Sequence, residues 1–140
     1  MKERCLVREV REEVFISSAQ DAGENLLQHV FTPFEQFEQE EFWVFPLNCR
    51  RRITHEFMVY RGTLTAVHIR PAELFRAAVR LNAWGVLLAH NHPSGDASPS
   101  GDDLEMQRRL RQAGALLGIE VVDHLVVGRD AWTSLHELSF

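Results

Sequence analysis

Cysteine is scarce. The two in 140 residues, Cys5 and Cys49, are too few for a secreted disulfide framework and too far apart for a CxxC metal or redox pair. They are expected to be incidental thiols in a reducing cytoplasm. No run of about 18 apolar residues occurs, and Met1-Lys2-Glu3-Arg4 leads into further charges rather than an apolar signal core, so neither a membrane span nor an export signal is expected. Eight Gly and five Pro are too few for a collagen-like or low-complexity chain. Positive charge is also short: 15 Lys+Arg face 20 Asp+Glu, a formal net charge of -5. That is the wrong sign for a domain that grips nucleic acid by neutralising phosphates, so DNA is disfavoured as a partner unless a local patch such as Arg50-Arg51-Arg52 supplies the contact. What remains, 45% hydrophobic and 25% charged residues, is the composition of one globular domain. A domain of this size buries roughly two-thirds of its unfolded surface and needs no metal to hold a core. A metal found here would point to chemistry.

Short β-branched pieces over residues 5–16 predict one or two leading strands. Ser18 with Asp21 three residues on has the form of a capping box, and Ala22, Leu26, Leu27 and Val30 recur at helical spacing, predicting a helix over 18–30. After an acidic connector (34–41), Phe42 to Leu47, the turn at 48–51 and Ile53 to Tyr60 read as a β-hairpin, with Pro46 at a bulge or an unpaired edge position. Arg61-Gly62 reads as a turn and Thr65 to Ile69 as another strand. Pro71 opens a helix carrying Leu74, Phe75, Ala78 and Leu81, stopped by Gly85. Val86 to Ala89, wholly apolar, reads as a central strand covered on both faces. A loop over 91–99 precedes a helix from Ser100 to Leu117 that stops at Gly118. One or two strands follow in Ile119 to Val127, and a last short element in Trp132 to Leu138. The expected organisation is one α/β domain with its sheet covered on both sides, residues 1–37 forming a strand and helix leader packed on 38–140.

The segment that carries chemistry is His90-Asn91-His92-Pro93, with Ser100 and Asp103 downstream. In extended chain, residues i and i+2 project from the same side, so the two imidazoles can converge just past the central strand. Asp103, in the first turn of the next helix, can bring a carboxylate to the same point. Two nitrogens and an oxygen with a fourth position open is the arrangement of a catalytic metal site rather than a closed structural one. Ser100-x-x-Asp103 is also a legitimate capping box without any metal. The two roles coexist, since Ser100 can cap the helix through a lone pair while its hydroxyl points into the site.

His90-x-His92-Pro93, the seven residues 93–99 and then Ser100-x-x-Asp103 resemble the metal-binding motif of the JAB/MPN (JAMM) metalloproteases. The longer string His90-Asn91-His92-Pro93-Ser94-Gly95-Asp96, with Asp123-His124 downstream, is similar to the bacterial RadC branch, long labelled DNA-repair proteins. Gly62-Thr63, the helix from Pro71 to Leu81 and the Gly128 turn extend the similarity over about residues 38–137. Arg70-Pro71-Ala72-Glu73 stands where that branch usually has Pro-Arg-Glu. The leader is expected to be too short for the helical DNA-binding-like domain that often precedes the module. The resemblance implies an α-β-α sandwich with a mixed central sheet, Zn²⁺ on His90, His92 and Asp103, and an early-strand glutamate as general base. Matching Glu-x-Phe-x-Val to the branch selects Glu40 over Glu41, although Glu35, Glu38, Glu40 and Glu41 also read as a solvated acidic run.

The implied reaction is hydrolysis of a peptide or isopeptide bond, with Glu40 moving the proton and Ser100 donating to the developing oxyanion. The implied partner is a peptide or protein, a ubiquitin-like modifier conjugate among the candidates. Two alternatives stand beside it, a DNA-associated protein with an architectural metal and a metal-dependent nuclease. His124 reads as a structural hydrogen-bond partner, with a supporting role behind a ligand as the alternative. His29, His55, His68 and His136 lack ligand spacing. Phe31, Phe34 and Phe37 are open between core and interface.

Overall fold

The structure, a computed structural model, describes residues 6–65 and 68–138. Among them six strands form one sheet: β1 Arg8–Phe15, β2 Glu40–Leu47, β3 Arg52–Gly62, β4 Gly85–Asn91, β5 Glu120–Gly128 and β6 Ala131–Ser134, in the spatial order β1-β3-β2-β4-β5-β6. Four α-helices accompany it: α1 Ala19–Asn25, α2 Pro71–Arg80, α3 Gly101–Leu117 and α4 Leu135–Leu138. A π-helical turn, Leu26–Val30, prolongs α1, and a 3-10 turn, Phe34–Gln36, precedes β2. β4 and β5 run parallel while the other neighbours are antiparallel. A parallel pair cannot be joined by a tight turn, and α3 supplies the crossover.

β4 explains the layering. All seven of its residues are buried, and its side chains alternate between two cores. Val86 and Leu88 join Phe42, Val44, Leu74 and Phe75 of α2, and Met106 and Leu110 of α3. Leu87 and Ala89 join Phe45, Leu47, Ala22, Leu26 and Phe31 on the opposite face. The sheet therefore lies between α2 and α3 on one side and α1 with its extension on the other, a single α/β domain with a mixed central sheet, as the resemblance implies. No helix among the described residues is long and apolar enough to cross a membrane.

Local chemistry accounts for several departures from the sequence-based expectations. β3 runs through Arg61 and Gly62, paired with Glu41 and Glu40 of β2, where a turn is predicted. The strand expected over 65–69 does not form at its described positions; Thr65, His68 and Ile69 are turn or irregular, and residues 66 and 67 lie outside the described residues. β1 pairs β3 only over residues 52–56, and the segment that follows β3 does not extend this pairing but buries Leu64 and Ile69 in the α2/α3 core. Helix α2 ends at Arg80, with Asn82 in the left-handed region at φ 53. Gly85 opens β4 instead of stopping the helix, where a Cβ would meet the Glu120 carbonyl oxygen at 2.7 Å. Pro46 sits where the β2/β3 register shifts, between Val44 and Leu47, while keeping its place opposite Val86. The bulge absorbs its missing N–H. At α1 the expected capping box is half formed: Ser18 Oγ accepts from Asp21 N–H, but the Asp21 carboxylate turns to the amide and hydroxyl of Ser17.

Candidate metal centre

His90 is the next-to-last residue of β4, and the buried strand carries its imidazole out of solvent. His92 lies just beyond, its amide still bonded to the Val127 carbonyl of β5 at 2.8 Å. Its Nδ1 sits 3.0 Å from the Asp96 carbonyl oxygen. A carbonyl accepts only, so the proton is on Nδ1 and Nε2 is the atom turned to the site. The loop closes on itself through Gly95 N–H to the His92 carbonyl, and on β5 through Arg129 N–H to the Gly95 carbonyl.

Helix α3 delivers the acid. Its capping box is complete: Asp103 N–H donates to Ser100 Oγ at 3.1 Å and Ser100 N–H to Asp103 Oδ2 at 2.8 Å. The same carboxylate reaches both imidazoles, with Oδ1 3.1 Å from His90 Nε2 and Oδ2 3.2 Å from His92 Nε2. Cap and site share one side chain. Burial by itself pushes the Asp103 carboxyl up, but the contacts from His90 and His92 and the Ser100 amide hold it well below the usual carboxylate range. In return the Asp103 contact raises His92 above its ordinary value against the opposing effect of burial, the Asp96 carbonyl and the charge of Glu40 adding to the rise.

The neighbouring acids separate by strand parity. Glu40 shares its face with Phe42 and Val44, which enter the α2/α3 core together with Leu88, and Phe42 lies directly opposite His90 in the ladder. Its carboxylate and the His90 and His92 nitrogens all lie within 4.8 Å of one another. Glu41 goes the other way, accepting from Trp43 Nε1 at 2.9 Å and Arg61 Nε at 3.2 Å. The structure thus gathers His90, His92, Asp103 and Glu40 and leaves Glu41 outside. Ser100, exposed at the helix start, uses its oxygen as acceptor for the cap, so its hydroxyl proton remains available for donation.

Behind His90 stands His124. His90 Nδ1 and His124 Nε2 are 2.8 Å apart, both rings fully buried. Burial pushes the His124 imidazole well down, keeping it neutral. Phe42 lines the floor, stacked on His90 at a centroid distance of 6.0 Å and edge-on to His124 at 5.2 Å. Asp123 faces elsewhere: it accepts from Ser134 Oγ and from the amides of His124 and His136, which fixes the start of α4.

His90 Nε2 tests whether a metal fits. It is buried and lies near Asp103, yet no hydrogen bond of good geometry satisfies it. In the tautomer that carries the proton on Nδ1, shared with His124 Nε2 at 2.8 Å, His90 Nε2 would present its lone pair to an ion. Two imidazoles and a carboxylate form a donor set suited to zinc and similar divalent ions, so the residues present fit the ion.

The spacing of His90, His92 and Asp103 predicts that the three meet, and the structure places them together. Asn91 carries no such spacing signal: its buried carboxamide bonds the backbone on both sides of Glu40. The contact of His124 with His90 was also not legible from spacing. Residue pattern alone carries no signal for the choice between the two acids: that an acid facing His90 shares parity with Phe42 follows from the β2/β4 register. Phe31 is core, with Phe37 against it at 5.2 Å, while Phe34 lies under Arg129. His68 bonds the Thr63 carbonyl and stacks on Tyr60, away from the cluster.

Comparison with known proteins bears on this geometry. Residues 16–140 match the family described as RadC-like JAB domain. A UPF0758 protein of Symbiobacterium thermophilum is 51% identical over 98 residues, covering 70% of this chain and 42% of the relative. One from Staphylococcus haemolyticus is 37% identical over 135 residues, covering 96% and 58%. Another from Shouchella clausii is 39% identical over 139 residues, covering 99% and 56%. The chain thus spans about half the length of these relatives.

Proposed function

Because this chain belongs to the RadC-like JAB domain family, a metal-dependent hydrolase fold, we propose that it is a zinc-dependent metallopeptidase that hydrolyses peptide or isopeptide bonds. The observation that carries the proposal is the convergence of Glu40, His90, His92 and Asp103 at the end of β4. The ion would be held by His90, His92 and Asp103, and when bound it would polarise a scissile carbonyl and make water acidic near neutral pH.

The chain's own groups do the rest. Glu40 takes a proton from the attacking water and returns it to the leaving amine, a transfer worth about 10²–10⁴-fold. Ser100 donates its hydroxyl proton to the carbonyl oxygen as negative charge builds, where loss of one such donor costs on the order of 10²–10³ in rate. His124 holds the His90 ring in the tautomer that leaves Nε2 as the donor atom, and Phe42 keeps water from behind it. The substrate is a peptide or protein, a ubiquitin-like modifier conjugate included.

The test compares wild type with Glu40→Gln on a mixed fluorogenic peptide library and on DNA, each with zinc and with chelator. Zinc-dependent peptide cleavage, lost in Glu40→Gln while zinc is still bound, supports the proposal. Cleavage of DNA alone points to a nuclease. Failure of wild type to bind zinc overturns the metal-dependent reading altogether.

A further inference from the structure

Asn91 stands between the two imidazoles in sequence but turns away from them in space. Its side chain is fully buried, with Oδ1 accepting from Glu41 N–H at 2.7 Å and Nδ2 donating to the Gln39 carbonyl at 3.1 Å. These partners fix the orientation of the amide, because an N–H must meet oxygen and a carbonyl must meet nitrogen. The β2–β4 ladder has its last registered pair at Phe42 and His90. Beyond that pair the carboxamide takes over, offering β2 one acceptor and one donor as a further backbone residue would.

The residue between the two clamped peptides is Glu40. Its carboxylate is otherwise lightly held, by a long hydrogen bond of 3.4 Å from Leu64 N–H to Oε1. Its position therefore depends on the backbone beneath it. On one side β3 supports that backbone, pairing Gly62 with Glu40 and Arg61 with Glu41; on the other side the support is Asn91.

We infer that Asn91 is the positioning residue for Glu40, a two-point clamp that sets the backbone from 39 to 41 and so aims the carboxylate at His90 and His92. The inference rests on the reading of Glu40 as the proton carrier of a metal site. The clamp needs a donor and an acceptor on one short planar group. Aspartate keeps the bond to Glu41 N–H but sets oxygen against the Gln39 carbonyl, serine cannot span both partners, and alanine makes neither bond.

The test uses the full chain and two readouts that need no substrate. In metal-free protein, hydrogen exchange at the Glu41 amide is measured by NMR for wild type, Asn91→Ala and Asn91→Asp; exchange is expected to rise tenfold or more in Asn91→Ala and to stay near wild type in Asn91→Asp, about 1.4 kcal/mol of opening free energy per tenfold change. In cobalt-loaded protein, the visible spectrum is recorded for wild type, Asn91→Ala, Glu40→Gln and the double variant. Asn91→Ala should shift the spectrum as Glu40→Gln does, with cobalt affinity within about threefold of wild type, and should add nothing in the Glu40→Gln background.

An Asn91→Ala spectrum identical to wild type overturns the inference, as does an equal further shift in the Glu40→Gln background. A tenfold loss of cobalt affinity would mean that Asn91 acts on the ligands themselves and also overturns it. If Asn91→Ala does not fold, Asn91→Asp carries the spectral test, and a wild-type spectrum there refutes the clamp. Failure of the proposed function shows separately, as absence of cobalt binding by wild type or as full peptide hydrolysis by Glu40→Gln.

Discussion

Gly128 closes β5 against the loop that carries His92, and Gly128→Ala tests how far backbone packing sets the proposed metal site. A Cβ there would run into the Gly95 carbonyl oxygen and stand 2.8 Å from the Ala97 amide nitrogen, where ordinary contact begins at 3.4 Å. The obstacles are backbone atoms, so no side-chain rotation relieves them. They are also pinned, by Arg129 N–H to the Gly95 carbonyl at 2.8 Å and His92 N–H to the Val127 carbonyl at 2.8 Å. The loop must retreat by more than half an ångström and take His92 with it, while His90, inside β4, stays in place.

Overpacking of this kind costs about 1–3 kcal/mol. A chain of this length has an unfolding entropy of about 0.3 kcal/mol/K, so melting in the presence of chelator should fall by about 3–10 °C. Zinc affinity, measured by competition with a chromophoric chelator, should fall about 10–100-fold, as it does when the support of a ligand is lost. Gly101→Ala is the control: a Cβ there meets nothing within 4 Å, and the change should leave the melting temperature equal or, at a gain of up to about 1 kcal/mol, raise it by up to about 3 °C. A Gly128→Ala protein with wild-type melting and wild-type affinity refutes the claim that this close approach places His92.

Other perturbations separate the remaining roles. His124→Ala should lower zinc affinity about 10–100-fold by releasing the His90 tautomer, read by the same competition; unchanged affinity would reduce His124 to a packing residue. Glu41→Gln should leave peptide hydrolysis within about twofold, since its partners are Trp43 and the half-exposed Arg61, and cost no more than about 1 kcal/mol in a urea melt. In zinc-free protein the raised pKa of His92 means that its contact with Asp103 stabilises fully below the ordinary value of 6.5 and is lost as pH rises through the folded value. The gap in urea midpoint between wild type and His92→Gln should therefore shrink from about pH 5.5 to about pH 8.5; a gap that widens contradicts the sign.

The legible parts of this fold are those set by local periodicity. The apolar run from Val86 to Ala89 has the length and composition of a covered strand, Pro71 suits the first turn of α2, and Ser100 caps α3 with its own side chain. The segment at 65–69 has strand-like alternation, yet Ile69 is spent on the α2/α3 core, and whether alternation becomes a paired strand is decided by the whole sheet. The choice between Glu40 and Glu41 required knowing that α3 covers the even-numbered face of β4, because both faces of β2 are apolar. Asn91 bonds residues 50 and 52 positions away, a distance at which no spacing rule operates. Residue type and spacing point to His90, His92 and Asp103 as candidate ligands; position in the sheet decides which groups stand behind them.

The most direct measurement is an anomalous-scattering map from zinc-loaded crystals. The account predicts one peak about 2.0–2.2 Å from the ring nitrogens His90 Nε2 and His92 Nε2 and from an Asp103 oxygen, with Glu40 outside the coordination sphere and facing it. A peak bound by Glu40 in place of Asp103, or no peak between the imidazoles, would contradict it.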